Sequence, residues 1–138
     1  MTFSATDGDA VLAENFAPWV RDLGLRVEET SVDGWATLRL PWSQRLAREG
    51  GGLSGQALMA AADTATVIAL SAARGGFVPM TTVQQSITFQ RPVTGTDVLI
   101  TARISKLGRG LAFVEVSMVA DGAAEPVAQA STVYAMLA

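Results

Sequence analysis

Between Gln56 and Ala73 the chain reads QALMAAADTATVIALSAA, and Asp63 is the only charge in the run. Ala, Leu and Met dominate it, which predicts a helix. The apolar residues fall on every side rather than in one stripe, so the helix must be buried on most faces. A carboxylate is rarely kept inside such a helix unless it is paired or used. Ahead of the run lies Gly50-Gly51-Gly52-Leu53-Ser54-Gly55. A loop opening into a helix leaves free backbone N–H groups, here about two turns from the acid. Amides that can bind an oxyanion, set near a carboxylate, are the parts of a site for acyl chemistry.

What the chain lacks narrows that chemistry. It has no histidine and no cysteine. A Ser-His-Asp triad, a histidine-rich zinc site and an Asp-His hydratase dyad are therefore excluded, as are thiolate nucleophiles and disulfides. Acid–base work must come from carboxylates, hydroxyls or basic side chains, and no cofactor or metal is called for. The 138 residues, 49% hydrophobic, suit a single folded domain with one core, with residues 1–24 as a helical N-terminal extension. The apolar run, interrupted by Asp63, reads as too short and too polar for a membrane span. Met1 to Asp9 has neither a basic region nor an apolar stretch, so no signal peptide is expected. A cytoplasmic location follows as the default for a cysteine-free chain.

The net charge of −3 argues against a nucleic-acid partner. The basic residues are unevenly spread, however. Arg91, Arg103, Lys106 and Arg109 share a stretch with one acid, Asp97. Two readings stand: solvated charge on a strand edge, or an anchor for a phosphate-bearing ligand. The glycines at 50–52 do not follow a strand and have no accompanying lysine, which excludes a nucleotide P-loop.

The element pattern is a helix over 9–20 with Asp9 as its N-cap, weakened at Pro18, then strands over 25–30 and 35–40. In the second strand Trp35, Thr37 and Arg39 share one face and Ala36, Leu38 and Leu40 the other. A loop over 41–53 leads to the long helix, which ends at Gly75-Gly76. Strands over 81–90, 97–107, 111–120 and 127–136 follow, with Gly108-Arg109-Gly110 as a hairpin turn. Six strands leave a helix apolar all round only if the sheet wraps it. Gln84 and Gln85 either bridge strands or line the acyl pocket, with a structural role favoured. Trp19, Trp35, Trp42, Phe77, Phe89 and Phe113 are read as core or subunit-interface residues, and Met59 and Met80 as core filling or as walls of an acyl tunnel.

This order resembles the α+β hot-dog fold, an antiparallel sheet curled around one central helix. Within that fold the chain is similar to acyl-CoA thioesterases of the phenylacetate-degradation type, from about Leu25 to Met136. That family's helix opens His-Gly-Gly, six residues, then Asp, usually within Leu-Ala-Asp-x-Ala. The matching stretch here is Ser54-Gly55-Gln56, six residues, then Asp63, within Ala61-Ala62-Asp63-Thr64-Ala65. Thr88-Phe89-Gln90-Arg91-Pro92-Val93 is similar to its Phe-x-Arg-Pro strand ending, and Lys106-Leu107-Gly108-Arg109 to its glycine-arginine hairpin.

The resemblance implies hydrolysis of a small or medium acyl-CoA thioester. Asp63 would be the base or nucleophile, and the Gly55 amide, with Gln56, the oxyanion site. Thr82 would come from a partner subunit to hold the water. Arg91, Lys106 and Arg109 would contact the coenzyme A phosphates. It also implies a homodimer or a dimer of dimers. The family's His is Ser54 here; Ser is a preferred cap for the helix, and a cap can still donate to the substrate in the His's place. The family's Asn, six positions earlier, is Arg48. These departures keep a second reading open, a non-catalytic module that binds acyl-CoA. A dehydratase of the same fold needs a His that this chain lacks.

Overall fold

The computed structural model describes residues 2–137. Helix α1 (Ala5–Asn15) starts at Ser4 rather than Asp9. The Ser4 hydroxyl accepts from the Asp7 amide at 3.1 Å, and the Asp7 carboxylate accepts from the Ser4 amide at 2.8 Å, a reciprocal cap. Asp9 instead accepts from the Val27 amide at 2.9 Å, tying α1 to strand β1 (Arg26–Ser31). Pro18 cannot continue a helix through its own nitrogen. It therefore opens a separate short helix, α2 (Pro18–Arg21), and the single helix expected over 9–20 is two.

Strand β2 (Trp35–Leu40) alternates as its sequence predicts, with Ala36, Leu38 and Leu40 buried. The loop after it holds one 3-10 turn, Gln44–Leu46, and folds back through a bridge between Ala47 and Leu53. Helix α3 (Gly55–Arg74) follows. Ser54 caps it, accepting from the Ala57 amide at 3.3 Å, and Gly75 ends it at φ +78°, a left-handed turn that favours glycine. Along α3, Ile68, Ala69, Leu70, Ser71 and Ala72 are all fully buried, so burial runs all round the helix. By length and apolar character α3 alone would suffice to cross a membrane, where the sequence suggested otherwise. Yet 72% of its apolar window lies inside the fold.

Strands β3 (Met80–Phe89), β4 (Val98–Leu107), β5 (Leu111–Ala120) and β6 (Pro126–Met136) complete an antiparallel sheet ordered β1-β2-β4-β5-β6-β3. The sheet curls around α3, as the hot-dog resemblance implied. Inside the curl, the Thr66 and Thr132 hydroxyls meet at 2.9 Å and pin the helix to β6. β3 forms one edge and hydrogen-bonds to β6. Its pairing register slips between Thr82 and Gln84, leaving Val83 as an extra residue. A bulge of this kind turns neighbouring side chains that simple alternation would set on opposite faces. Thr82 pairs with Tyr134 and Gln85 with Thr132, and Tyr134 and Thr132 both point at α3, so the bulge directs Thr82 inward as well.

Candidate active site

Asp63 sits about two turns into α3 and is only partly buried. Two hydroxyls converge on one of its oxygens. Thr82 Oγ1 donates to Asp63 Oδ1 at 2.8 Å, and the Tyr134 phenol donates to the same atom at 2.6 Å. Tyr134 OH also lies 3.0 Å from the Asp63 main-chain oxygen. Among the described residues nothing donates to Oδ2. Hydrogen bonds to a charged acceptor are the strong ones, so this pair fixes the carboxylate's orientation and leaves one oxygen for other work. Tyr134 is buried, and its phenol is pushed well above the ordinary range, first by burial and then by the charge of Asp63. It therefore stays protonated as a donor. Beside Asp63 lies a cleft of about 230 Å³ walled by Phe16, Val67, Phe77 and Met80.

The Asp63–Thr82 contact corrects one expectation. Thr82 was expected to reach Asp63 from a partner subunit, but the two meet within one chain. The bulge at Val83 is the reason, because it aims Thr82 at its own helix.

The start of α3 is a different environment. The Ser54 hydroxyl is engaged as the cap. The Gly55 and Gln56 amides have no acceptor among the described residues, as first-turn amides lack intrahelical partners. Gly55 faces a hollow of about 420 Å³ shared with Arg48, Leu58, Phe89 and Arg91. A Cβ on Gly55 would stand 3.1 Å from the Phe89 ring, so the glycine allows the close approach. Gln56 faces another hollow, beside Trp19 and Arg45.

The basic residues are not gathered in one chain. Arg91 pairs with Glu125 at 2.6 Å, both exposed. Lys106 pairs across the sheet with Phe113, in the row that ends at Gln84. Arg109 is at the tip of the β4–β5 hairpin. Arg91 is level with Val127 and the hairpin with Met136, so along the strand direction they are about 30 Å apart. Arg103 lies over the Trp35 ring at 5.8 Å. Asp97, the one acid of the stretch, is held below the usual carboxylate range by the Trp42 amide and then by Arg39. No trio of acidic residues among those described is placed to hold a metal ion.

Gly55 and Asp63 are eight residues apart on one helix, about 12 Å along its axis. A base and an oxyanion donor serving one carbonyl must each lie about 3 Å from the reacting atoms. One copy's own Gly55 and Asp63 cannot do that together.

The thioesterase superfamily profile matches residues 50–127, the span that carries Gly55, Asp63, Thr82 and the hairpin. The chain belongs to the thioesterase superfamily. Its structure is similar to a candidate thioesterase from Silicibacter sp., with 30% identity, TM-score 0.86, and coverage of 99% of this chain and 93% of that one. It is also similar to a mutant of the phenylacetic acid degradation protein PaaI of Thermus thermophilus, with 26% identity, TM-score 0.77, and coverage of 88% and 100%. E. coli PaaI shares the fold at 18% identity, with TM-score 0.83 and coverage of 97% and 94%. No curated protein sequence matches significantly. The chain is thus a hot-dog thioesterase of the PaaI type, and thioester hydrolysis is the activity its superfamily carries.

Two parts of this thioesterase were not read from its sequence. Tyr134 passed as an ordinary strand residue. Its signal was its place on the inward face of β6, in step with Thr132 and Met136, where a buried phenol needs a partner. Phe16 passed as part of a peripheral helix, yet it walls the Asp63 cleft. Of the aromatic residues expected in the core or an interface, Trp19, Phe77, Phe89 and Phe113 are exposed in the single chain. Gln85 reaches the Met59 carbonyl at 3.4 Å, in keeping with a structural role.

Proposed function

We propose that this thioesterase hydrolyses a small or medium acyl-CoA thioester in a site shared by two copies of the chain, with Asp63 as the catalytic group. The observation that carries the reading is the Asp63 carboxylate, fixed at Oδ1 by Thr82 and Tyr134 and unengaged at Oδ2. Oδ2 takes a proton from a water, whose oxygen attacks the thioester carbon. The carbonyl oxygen becomes an oxyanion, held by the Gly55 amide. Collapse of the intermediate breaks the C–S bond, and the leaving thiolate takes the proton back from Asp63. Attack by Oδ2 itself, through an anhydride that water then hydrolyses, is the other route. Label in the Asp63 carboxylate after single turnover in ¹⁸O-water shows it where water opens the anhydride at the Asp63 carbon. Trapping of the acylated Asp63 by hydroxylamine shows it where water attacks the acyl carbon.

The shared site follows from the helical distance between Gly55 and Asp63. β3 is a ten-residue edge strand, with Val83 56% and Phe89 49% exposed. Long open edges with exposed apolar residues are normally covered or blunted. Antiparallel pairing of two β3 strands about a twofold axis brings the Phe89 end of one copy to the Met80 end of the other. Gly55 and Arg91 of one copy then approach Asp63 and the basic hairpin of its partner. In that arrangement Arg91, Lys106 and Arg109 serve one coenzyme A.

Replacement of the family's His by Ser54, a hydroxyl that accepts from the Ala57 amide and keeps only its O–H to donate, favours a second reading, binding of acyl-CoA without turnover. A panel of acyl-CoA esters with free-thiol detection tests the choice. Asp63→Asn is expected to lower kcat by about 10²–10⁴-fold in a folded protein. Near-wild-type turnover by that variant removes the catalytic assignment, and tight binding with no turnover by the native chain favours the binding module.

A further inference from the structure

Phe16 stands where α1 stops. Its own backbone is extended, at φ −119° and ψ 153°, and so is that of Ala17, at φ −60° and ψ 149°. A following proline disfavours helical backbone at the residue before it, so Pro18 sets the break. The Phe16 ring is half-buried, and it borders two hollows. One is the Asp63 cleft of about 230 Å³. The other is a groove of about 380 Å³ between α1, α2 and β1, with Leu12, Ala13, Val20 and Leu25 as apolar walls. Phe16 is the one residue that lines both.

We infer that Phe16 closes the acyl end of the Asp63 cleft and so limits the length of acyl chain this thioesterase accepts. The inference rests on the reading of Asp63 as the thioester site. A cleft of about 230 Å³ holds roughly eight water-sized groups. That suits a short chain or one carrying a single ring. The groove beyond Phe16 has the apolar walls that a longer saturated chain needs. Three charged residues, Asp9, Arg21 and Arg26, also line it. The Asp9 carboxylate is engaged by the Val27 amide and Arg21 donates to the Ala13 carbonyl. Arg21 and Arg26 are exposed, so their charged heads stay in water and their stems face a hydrocarbon. The specificity element therefore lies outside the stretch that the superfamily profile matches.

The test compares native protein and Phe16→Ala with a series of saturated acyl-CoA esters from butanoyl to dodecanoyl. The ratio of kcat/KM for decanoyl over butanoyl is expected to rise about tenfold or more in the variant. Phe16→Trp is expected to move the ratio the opposite way. Melting temperatures show whether the variants are folded, and Phe16→Leu gives a smaller opening in the same direction if the alanine variant is not. Calorimetric binding of non-hydrolysable thioether analogues of the same lengths supplies the ratio without turnover. An unchanged length profile in folded variants, by turnover or by binding, overturns the role of Phe16. Full turnover by Asp63→Asn, with a length profile that still shifts on changing Phe16, overturns the catalytic reading alone.

Discussion

The two ends of the working face of α3 are built on opposite principles. At its start, the Gly55 amide is a donor with no acceptor among the described residues, in a hollow flanked by Arg48 and Arg91. Two turns on, Asp63 is an acceptor already given two donors, Thr82 and Tyr134. The first end costs the fold little, because first-turn amides are unpaired in any helix. The second end requires a bulged strand, a buried phenol and the fold's own edge to hold one carboxylate. One end is therefore general to helices and the other is specific to this chain. In the proposed two-copy site neither works by itself, because the helix between them keeps them about 12 Å apart.

The largest effect expected from this division is seen by breaking each end in a separate chain. Gly55→Pro removes the N–H at the first helical position, which proline tolerates, and is compared with Gly55→Ala, which keeps the N–H but makes the same Cβ contact with the Phe89 ring. Ser54 already has the extended backbone that a following proline needs, at φ −69° and ψ 146°. Alone, Gly55→Pro and Asp63→Asn are each expected to lose about 10²-fold or more in kcat. Co-expressed, they are expected to recover a substantial share of the rate, because a hybrid dimer holds one site with both groups intact. No recovery in hybrids confirmed by native mass spectrometry would put both ends to work within one chain.

Tyr134→Phe sharpens the second end alone. Loss of one hydrogen bond to a charged group is expected to lower kcat about tenfold with KM unchanged. In the Asp63→Asn background the same change is expected to add nothing, since the two residues act as a unit. A further loss in that background would show that Tyr134 acts through packing.

The smallest effect belongs to the exposed cations. Arg91→Ala and Arg109→Ala are each expected to raise KM for an acyl-CoA by up to about fivefold, with little change in kcat. Both effects are expected to fade with salt and to vanish on a truncated thioester that lacks the nucleotide. A response from only one of the two arginines would indicate that the ends do not share one coenzyme A.

The legible parts of the molecule were those fixed by local chemistry. The uninterrupted apolar run around Asp63 specified a wrapped helix, and strict alternation from Trp35 to Leu40 specified which face is buried. Ser54 read first as a cap, with a donor role compatible, and the structure engages it as the cap. The illegible parts depended on register. Nothing in Thr82-Val83-Gln84 announces a bulge, so Thr82 was assigned across a subunit boundary when it reaches its own helix. Tyr134 becomes a site residue only when β6 is laid between β5 and β3. Phe16 required knowing that α1 stops two residues before Pro18 and packs over the cleft.

The sheet order also governs when the site comes into being during synthesis. β3 leaves the ribosome well ahead of β6, yet β6 is the strand to which it hydrogen-bonds in this chain. Until Pro126 to Met136 has emerged, β3 has two open edges, and Asp63 lacks the phenol that orients it. Such late, long-range pairing is slow and exposes strands to wrong partners. A chain arrested before β6 would carry the sequence of the active site without its geometry. Its free β3 strands would be the surfaces most prone to pair wrongly with one another.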